Sequence, residues 1–255
     1  MIFETHAHYD DPAFDGDRKE LLSQMENNGI YRVVNVSSDL ESCSKTIELT
    51  KQYSFIYGAV GIHPSDSGDL TEEDICSIEE QSRHEKIVAI GEIGLDYYWD
   101  SPAREVQKKW FVRQLALAAK RQLPVIIHSR DAAQDTYDIM KEQQAEKIGG
   151  VIHCFSYGPE MAERYLKMGF YIGIGGVLTF KNARKLKEVA AMLPLDSIVL
   201  ETDSPYLAPE PNRGKRNSSL NLSYIVEELA GIKRTSAAEV MCITTENAKR
   251  LYGMK

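Results

Sequence analysis

Eight short runs of apolar and β-branched residues punctuate this chain, separated by longer stretches with helical periodicity. The runs are "MIFET", "YRVVNVS", "FIYGAVGI", "KIVAIGEI", "LPVIIHS", "GGVIHCF", "FYIGIGG" and "SIVLETD". Between them lie segments with charged faces, such as "DRKELLSQMENNG", "SPAREVQKKWFVRQLALAAKRQ" and "PEMAERYLKMG". The first and third of these end in Asn-Gly and Met-Gly, which suits helix C-termini. The closing "TSAAEVMCITTENAKRLYGMK" reads as a last helix capped by Thr235 or Ser236. A parallel crossover needs a dozen or more residues, so the alternation predicts βαβ units. Eight such units in 255 residues predict a (β/α)8 TIM barrel of the α/β class. An open doubly wound sheet is the alternative, but no G-x-G-x-x-G follows the first run to mark a dinucleotide site. No linker or low-complexity tract divides the chain, so residues 1–255 are expected to form a single domain.

A hydrophobic fraction of 43% and a charged fraction of 27% are those of a soluble globular protein. No basic segment leads into an apolar core near residue 1, and no apolar run approaches spanning length. Neither a signal segment nor a membrane association is therefore expected. Cys43, Cys76, Cys154 and Cys242 are scattered and form no C-x-x-C pair, which predicts reduced thiols and a cytoplasmic location. The formal net charge of -8 argues against a broad basic surface wrapping duplex nucleic acid. It leaves room for an enzyme that grips one or two phosphates beside bound cations.

In a barrel, the C-terminal ends of the strands share one catalytic face. Polar residues crowd those ends here. The first run ends in His6 and His8, which an extended strand points the same way. The third leads to His63, the fourth carries Glu92 and Asp96, and the fifth ends in His128 and Arg130. The sixth ends in His153, and the eighth in Glu201 and Asp203, whose spacing of two predicts a shared face. Five of the six histidines thus fall on one rim, and only His84 lies in a charged, helix-like segment. Such convergence exceeds any structural need and predicts a metal centre: His6, His8, Glu92, His128, His153 and Asp203 could hold two cations, one carboxylate bridging them.

Several rim residues admit two readings. His63 precedes Pro64 and could shape a turn or touch substrate. Arg130 could face the opening or pair with Asp131 or Asp135. Glu201 could support the metal ligands, be satisfied by backbone, or enter an ion pair. Cys154 follows His153 directly and is expected on the opposite face, packed towards the helices. The tyrosines of "LDYYW" could pack the rim or stack on a base. The loop "SPYLAPEPNRGKRNSS" gathers Arg213, Lys215 and Arg216, which suits a phosphate-bearing substrate or a merely solvated loop.

With these residues assembled, the sequence resembles the TatD family of metal-dependent deoxyribonucleases, within the amidohydrolase superfamily. The resemblance is carried along nearly the whole chain by "THAH", "GIHP", "GEIGLDYY", "PVIIHSRDA", "HCF", "ETDSPYLAP", "RGKRN" and "TENAKRLYG". It implies a barrel binding two divalent cations: His6, His8 and Asp203 on the first, His128 and His153 on the second, and Glu92 bridging both. Histidines suit zinc or manganese, and carboxylates with a phosphate suit magnesium or manganese. His63 and Arg130 are implied to lie near the substrate phosphate, with Arg213 and Lys215 of "RGKRN" at the mouth. Glu4 stands where the family has Asp, and Ser218-Ser219 where it commonly has Glu-Pro.

The implied activity is phosphodiester hydrolysis by a metal-activated hydroxide, with Asp203 exchanging the proton and Glu92 essential to the metal pair. The implied substrate is DNA, mainly single-stranded and degraded from its 3′ end, with no obligate protein partner. The same metals could instead cleave an ester or amide, as in a D-aminoacyl-tRNA deacylase. A silent nucleic-acid-binding protein would not need so full a set of ligands.

Overall fold

The computed structural model describes residues 1–254. Eight strands run in parallel, each hydrogen-bonded to the next in chain order: β1 (Ile2–Ala7), β2 (Ile30–Val36), β3 (Ile56–Val60), β4 (Ile87–Asp96), β5 (Val125–Arg130), β6 (Gly150–Ile152), β7 (Tyr171–Ile174) and β8 (Ile198–Leu200). The barrel closes beyond the last strand. Ala7 bridges to Ser204, the His8 N–H donates to the Ser204 carbonyl at 2.7 Å, and the Asp203 N–H donates to the His6 carbonyl at 3.0 Å. Three residues singled out by the sequence therefore sit on the seam itself.

Helices cover the outside, so the strands are buried on both faces and read as continuous apolar runs. Every residue of β1 and of β4 is buried. Phe3, Val34, Ala59, Ala89, Ile126, Val151, Tyr171 and Val199, one from each strand, join a single apolar cluster with Leu251 and Tyr252. A cluster fed by all eight strands lies inside the barrel. Alternation then carries the next inward positions upward: Ile126 is followed by His128, Val151 by His153, and Val199 by Glu201. The polar centre thus stacks directly on the apolar floor.

Local chemistry supports these elements. Ser236, one of the two expected caps, accepts the Glu239 N–H and starts the last helix, Ala237–Leu251. Gly94 on β4 pairs with His128 on β5 at a φ of +144°. A Cβ at Gly94 would lie 1.9 Å from the His128 carbonyl oxygen, so only glycine lets β4 and β5 meet at that level. All four cysteines are free. Among the described residues, no helix is long and apolar enough to cross a membrane.

Candidate metal centre

Glu92 is the hub. Its Oε1 lies 2.8 Å from His128 Nδ1 and 2.8 Å from His153 Nε2, and its Oε2 lies 3.3 Å from His6 Nε2 and 3.8 Å from His8 Nε2. Asp203 Oδ1 completes one side, 3.4 Å from His8 Nε2 and 3.7 Å from His6 Nε2. The two imidazole nitrogens of His6 and His8 stand 3.1 Å apart. Three sets offer ligand atoms within 4.8 Å of one another: His6, His8 and Asp203; His63, Glu92 and His128; and His6, His153 and Glu201. Imidazoles mixed with carboxylates are a donor set for a divalent first-row cation or magnesium. The six residues expected as ligands are all gathered here.

The protonation pattern follows from burial and charge. Burial alone would raise the Glu92 carboxyl, but the His153 charge and bonds from His128, His153 and His6 outweigh it and hold Glu92 well below the carboxylate range. Burial likewise opposes charge on His8, yet the hydrogen bond and charge of Asp203, with Glu92 behind them, push His8 up to about 9. Asp203 is held down against its own burial by the His8 bond and the charges of His153 and His6. His8 Nδ1 donates to the Val36 carbonyl at 2.7 Å, which turns its Nε2 towards the centre.

His63 shapes the turn that is one of its two readings. Its Nδ1 accepts the Ser65 N–H at 3.2 Å and caps the turn Pro64–Asp66. That bond leaves the ring proton on Nε2, 3.8 Å from Glu92 Oε1. Burial, reinforced by His128, pushes His63 down to about 3. It is a neutral donor aimed into the site.

Above the centre opens a cavity of about 820 Å³, whose wall includes His8, His63, Glu92, His128, Arg130, His153 and Asp203. Trp99 and Tyr206, both more than half exposed, stand on the same wall. Of its two readings, Arg130 faces the opening, its guanidinium 3.7 Å over the Tyr98 ring rather than paired with Asp131 or Asp135. Asp135 instead takes the Tyr97 hydroxyl at 2.7 Å and Lys108 at 2.9 Å. Arg213 and Lys215 lie outside this wall: Arg213 packs over Phe180 at 4.2 Å, and Lys215 is exposed.

The sequence of residues 3–253 matches the family described as TatD related DNase. The chain belongs to the TatD family. Among its relatives, the metal-dependent hydrolase YabD of Bacillus subtilis is 46% identical over 252 residues, covering 99% of each chain. The metal-dependent hydrolase YcfH of Escherichia coli is 32% identical over 255 residues, covering 99% of this chain and 96% of its own. The crystal structure of YjjV, a TatD homologue from Escherichia coli, superposes with a TM-score of 0.93 at 32% identity, covering 100% of this chain and 98% of the other.

Two expectations for this TatD-family chain need correction. Cys154 does not face the helices. β6 stops at Ile152 and Cys154 takes a φ of +45°, so strand alternation no longer applies, and the residue lines the cavity. Glu201 and Asp203 do not share a face as strand neighbours either. β8 ends at Leu200 and Asp203 adopts a φ of +58°, so strand alternation does not relate the two: Glu201 groups with His6 and His153, and Asp203 with His6 and His8. One residue was given no role in the expected centre: Asp96 Oδ2 lies 3.1 Å from His128 Nε2. Its spacing of four from Glu92 along β4 was the available signal.

The departures from the family pattern are accommodated. Glu4 is fully buried and stays off the centre; its Oε1 accepts the His6 N–H at 3.2 Å and the Thr202 N–H at 2.9 Å. Burial pushes Glu4 up to about 8. In the loop, the Ser219 N–H donates to the Tyr9 hydroxyl at 2.8 Å, and Asn217 Nδ2 donates to the Thr202 carbonyl at 3.0 Å. Arg216 pairs with Asp17 at 2.5 Å, so this basic residue fastens the loop.

Proposed function

We propose that this TatD-family protein is a metal-dependent phosphodiesterase that degrades single-stranded DNA from its 3′ end in the cytoplasm, as a single domain. The observation that carries the reading is one cavity wall combining a histidine–carboxylate cluster, a cation and exposed aromatic rings. A phosphate flanked by bases needs all three.

His6, His8 and Asp203 would hold one divalent cation and His128 with His153 a second, Glu92 standing between them. Magnesium, manganese and zinc all suit such donors. When bound, the pair supplies Lewis-acid polarisation of a phosphoryl oxygen and a water of lowered pKa. The chain's own groups do the rest. Asp203, kept ionised, accepts a proton from the attacking water and returns it to the leaving oxygen. Arg130 neutralises charge growing on the phosphoryl oxygens, and His63 donates to one of them through Nε2–H. Tyr206 and Trp99 give the adjoining bases faces to stack on.

A substrate panel tests the choice of bond. With single-stranded DNA, single-stranded RNA and a D-aminoacyl-tRNA offered at equal concentration, DNA is expected to turn over fastest. Faster release of the amino acid would transfer the same centre to ester hydrolysis and overturn the nuclease reading.

A further inference from the structure

Metal-binding histidines need their other ring nitrogen held, because the lone pair given to a cation leaves the proton on the far side. Two of the expected ligands here meet that condition. His8 holds its outer nitrogen on Val36 and His128 on Asp96. His6 and His153 do not. Each turns Nε2 to Glu92 and leaves a buried Nδ1 without a partner. A third buried orphan, Glu201 Oε2, belongs to the same cluster. Among the described residues, these three are the majority of the five orphaned atoms, so chance scatter is a poor account of them.

The geometry brings the orphans together. The His6 and His153 rings stack in parallel, centroids 3.9 Å apart and 13° from coplanar. One nitrogen of each ring and a Glu201 oxygen lie within 4.8 Å of one another, and His153 Nδ1 is 3.7 Å from Glu201 Oε1. The carboxylate is seated deliberately. The Cys154 N–H donates to Oε1, and a Cβ at Gly173 on β7 would lie 2.5 Å from Oε2. Any side chain at Gly173 would evict Glu201 from this place.

We propose that Glu201 is a positioning residue shared by both ion sites, accepting the Nδ1–H of His6 and of His153 and so locking each ring with Nε2 towards its cation. The inference rests on the two-cation reading above. Glu201 itself touches neither substrate nor cation; it acts through one ligand of each site. A carboxylate buried only to receive the Cys154 N–H would have no such reach.

The test compares wild type, Glu201→Gln and Gly173→Ala, all stripped of metal. Manganese binding is followed by the electron paramagnetic resonance of the free ion, and histidine tautomers by long-range ¹⁵N–¹H correlation. Wild type should bind two ions and show Nδ1–H on His6 and His153. Both variants should lose about 10- to 100-fold in affinity at both sites together, with mixed tautomers on those two rings. Gly173→Ala moves the carboxylate without changing its charge, and Glu201→Asp keeps the charge but shortens the reach; either substitutes if Glu201→Gln does not fold. Affinity within about twofold of wild type, loss confined to one site, or an unchanged Nδ1–H pattern would overturn the proposal. A wild type that binds one ion would sink the two-cation reading, while the tautomers of the variants would still decide the role of Glu201.

Discussion

His6 Nε2 and His8 Nε2 face each other across 3.1 Å, with Asp203 Oδ1 within 3.7 Å of both. In the metal-free protein a proton joins these groups, and a cation must displace it. His8 holds that proton up to about 9, since the hydrogen bond and charge of Asp203 outweigh the opposing effect of burial. His128 and His153 are likewise raised against burial, chiefly by Asp96 and Glu92 for the first and by Glu92 for the second.

The sign of the pH dependence follows. Below pH 9 His8 carries a proton that cation binding expels, so affinity rises as pH rises from 6.5 towards 9. Calorimetric titration with zinc or manganese at pH 7, in buffers of different ionisation enthalpy, should show net release of at least about one proton. An enthalpy independent of the buffer would contradict the scheme.

Glu92 bonds to His128, His153 and His6 at once, and no nearby carboxylate reaches all three. Glu92→Ala should therefore cost more metal than the loss of a supporting partner, about 100-fold or more in affinity. Elemental analysis after dialysis would read it directly. Metal content equal to wild type would show that Glu92 does not join the sites.

Trp99 is 55% exposed on the cavity wall, whereas Trp110 is 3% exposed in the core. Changes in solvent-exposed tryptophan emission on binding therefore report on Trp99. Metal-free protein titrated with single-stranded oligothymidylate should show quenching, absent in Trp99→Phe, and Trp99→Ala should raise KM roughly tenfold with kcat little changed. Equal quenching in Trp99→Phe would remove the stacking role.

How far the sequence could be read depends on the range of each cause. The barrel was legible because strand and helix periods are local, and the rim histidines were legible because alternation carries a face along a strand. His128 follows Ile126 inward on that rule alone, and His153, one residue past the end of β6, still keeps the direction of Val151. The rule fails where strands stop. Cys154 and Asp203 both lie beyond a strand end at positive φ, and both departed from the expected direction. Loop charge is weaker still: nothing local to Arg213 or Arg216 reveals that Phe180 and Asp17 wait beside them. The seat of Glu201 was invisible because it is cut by the missing side chain of Gly173 on another strand.

The most direct measurement uses 5′-labelled single-stranded DNA with wild type and Asp203→Asn, each stripped of metal and then given magnesium, manganese or zinc. Asp203 lies against both His6 and His8, and its side chain borders the open cavity. The expected result is a metal-dependent ladder shortening from the 3′ end, slowed on the order of 10³-fold in the variant. An oligonucleotide left intact under every metal, or a variant as fast as wild type, would contradict the account.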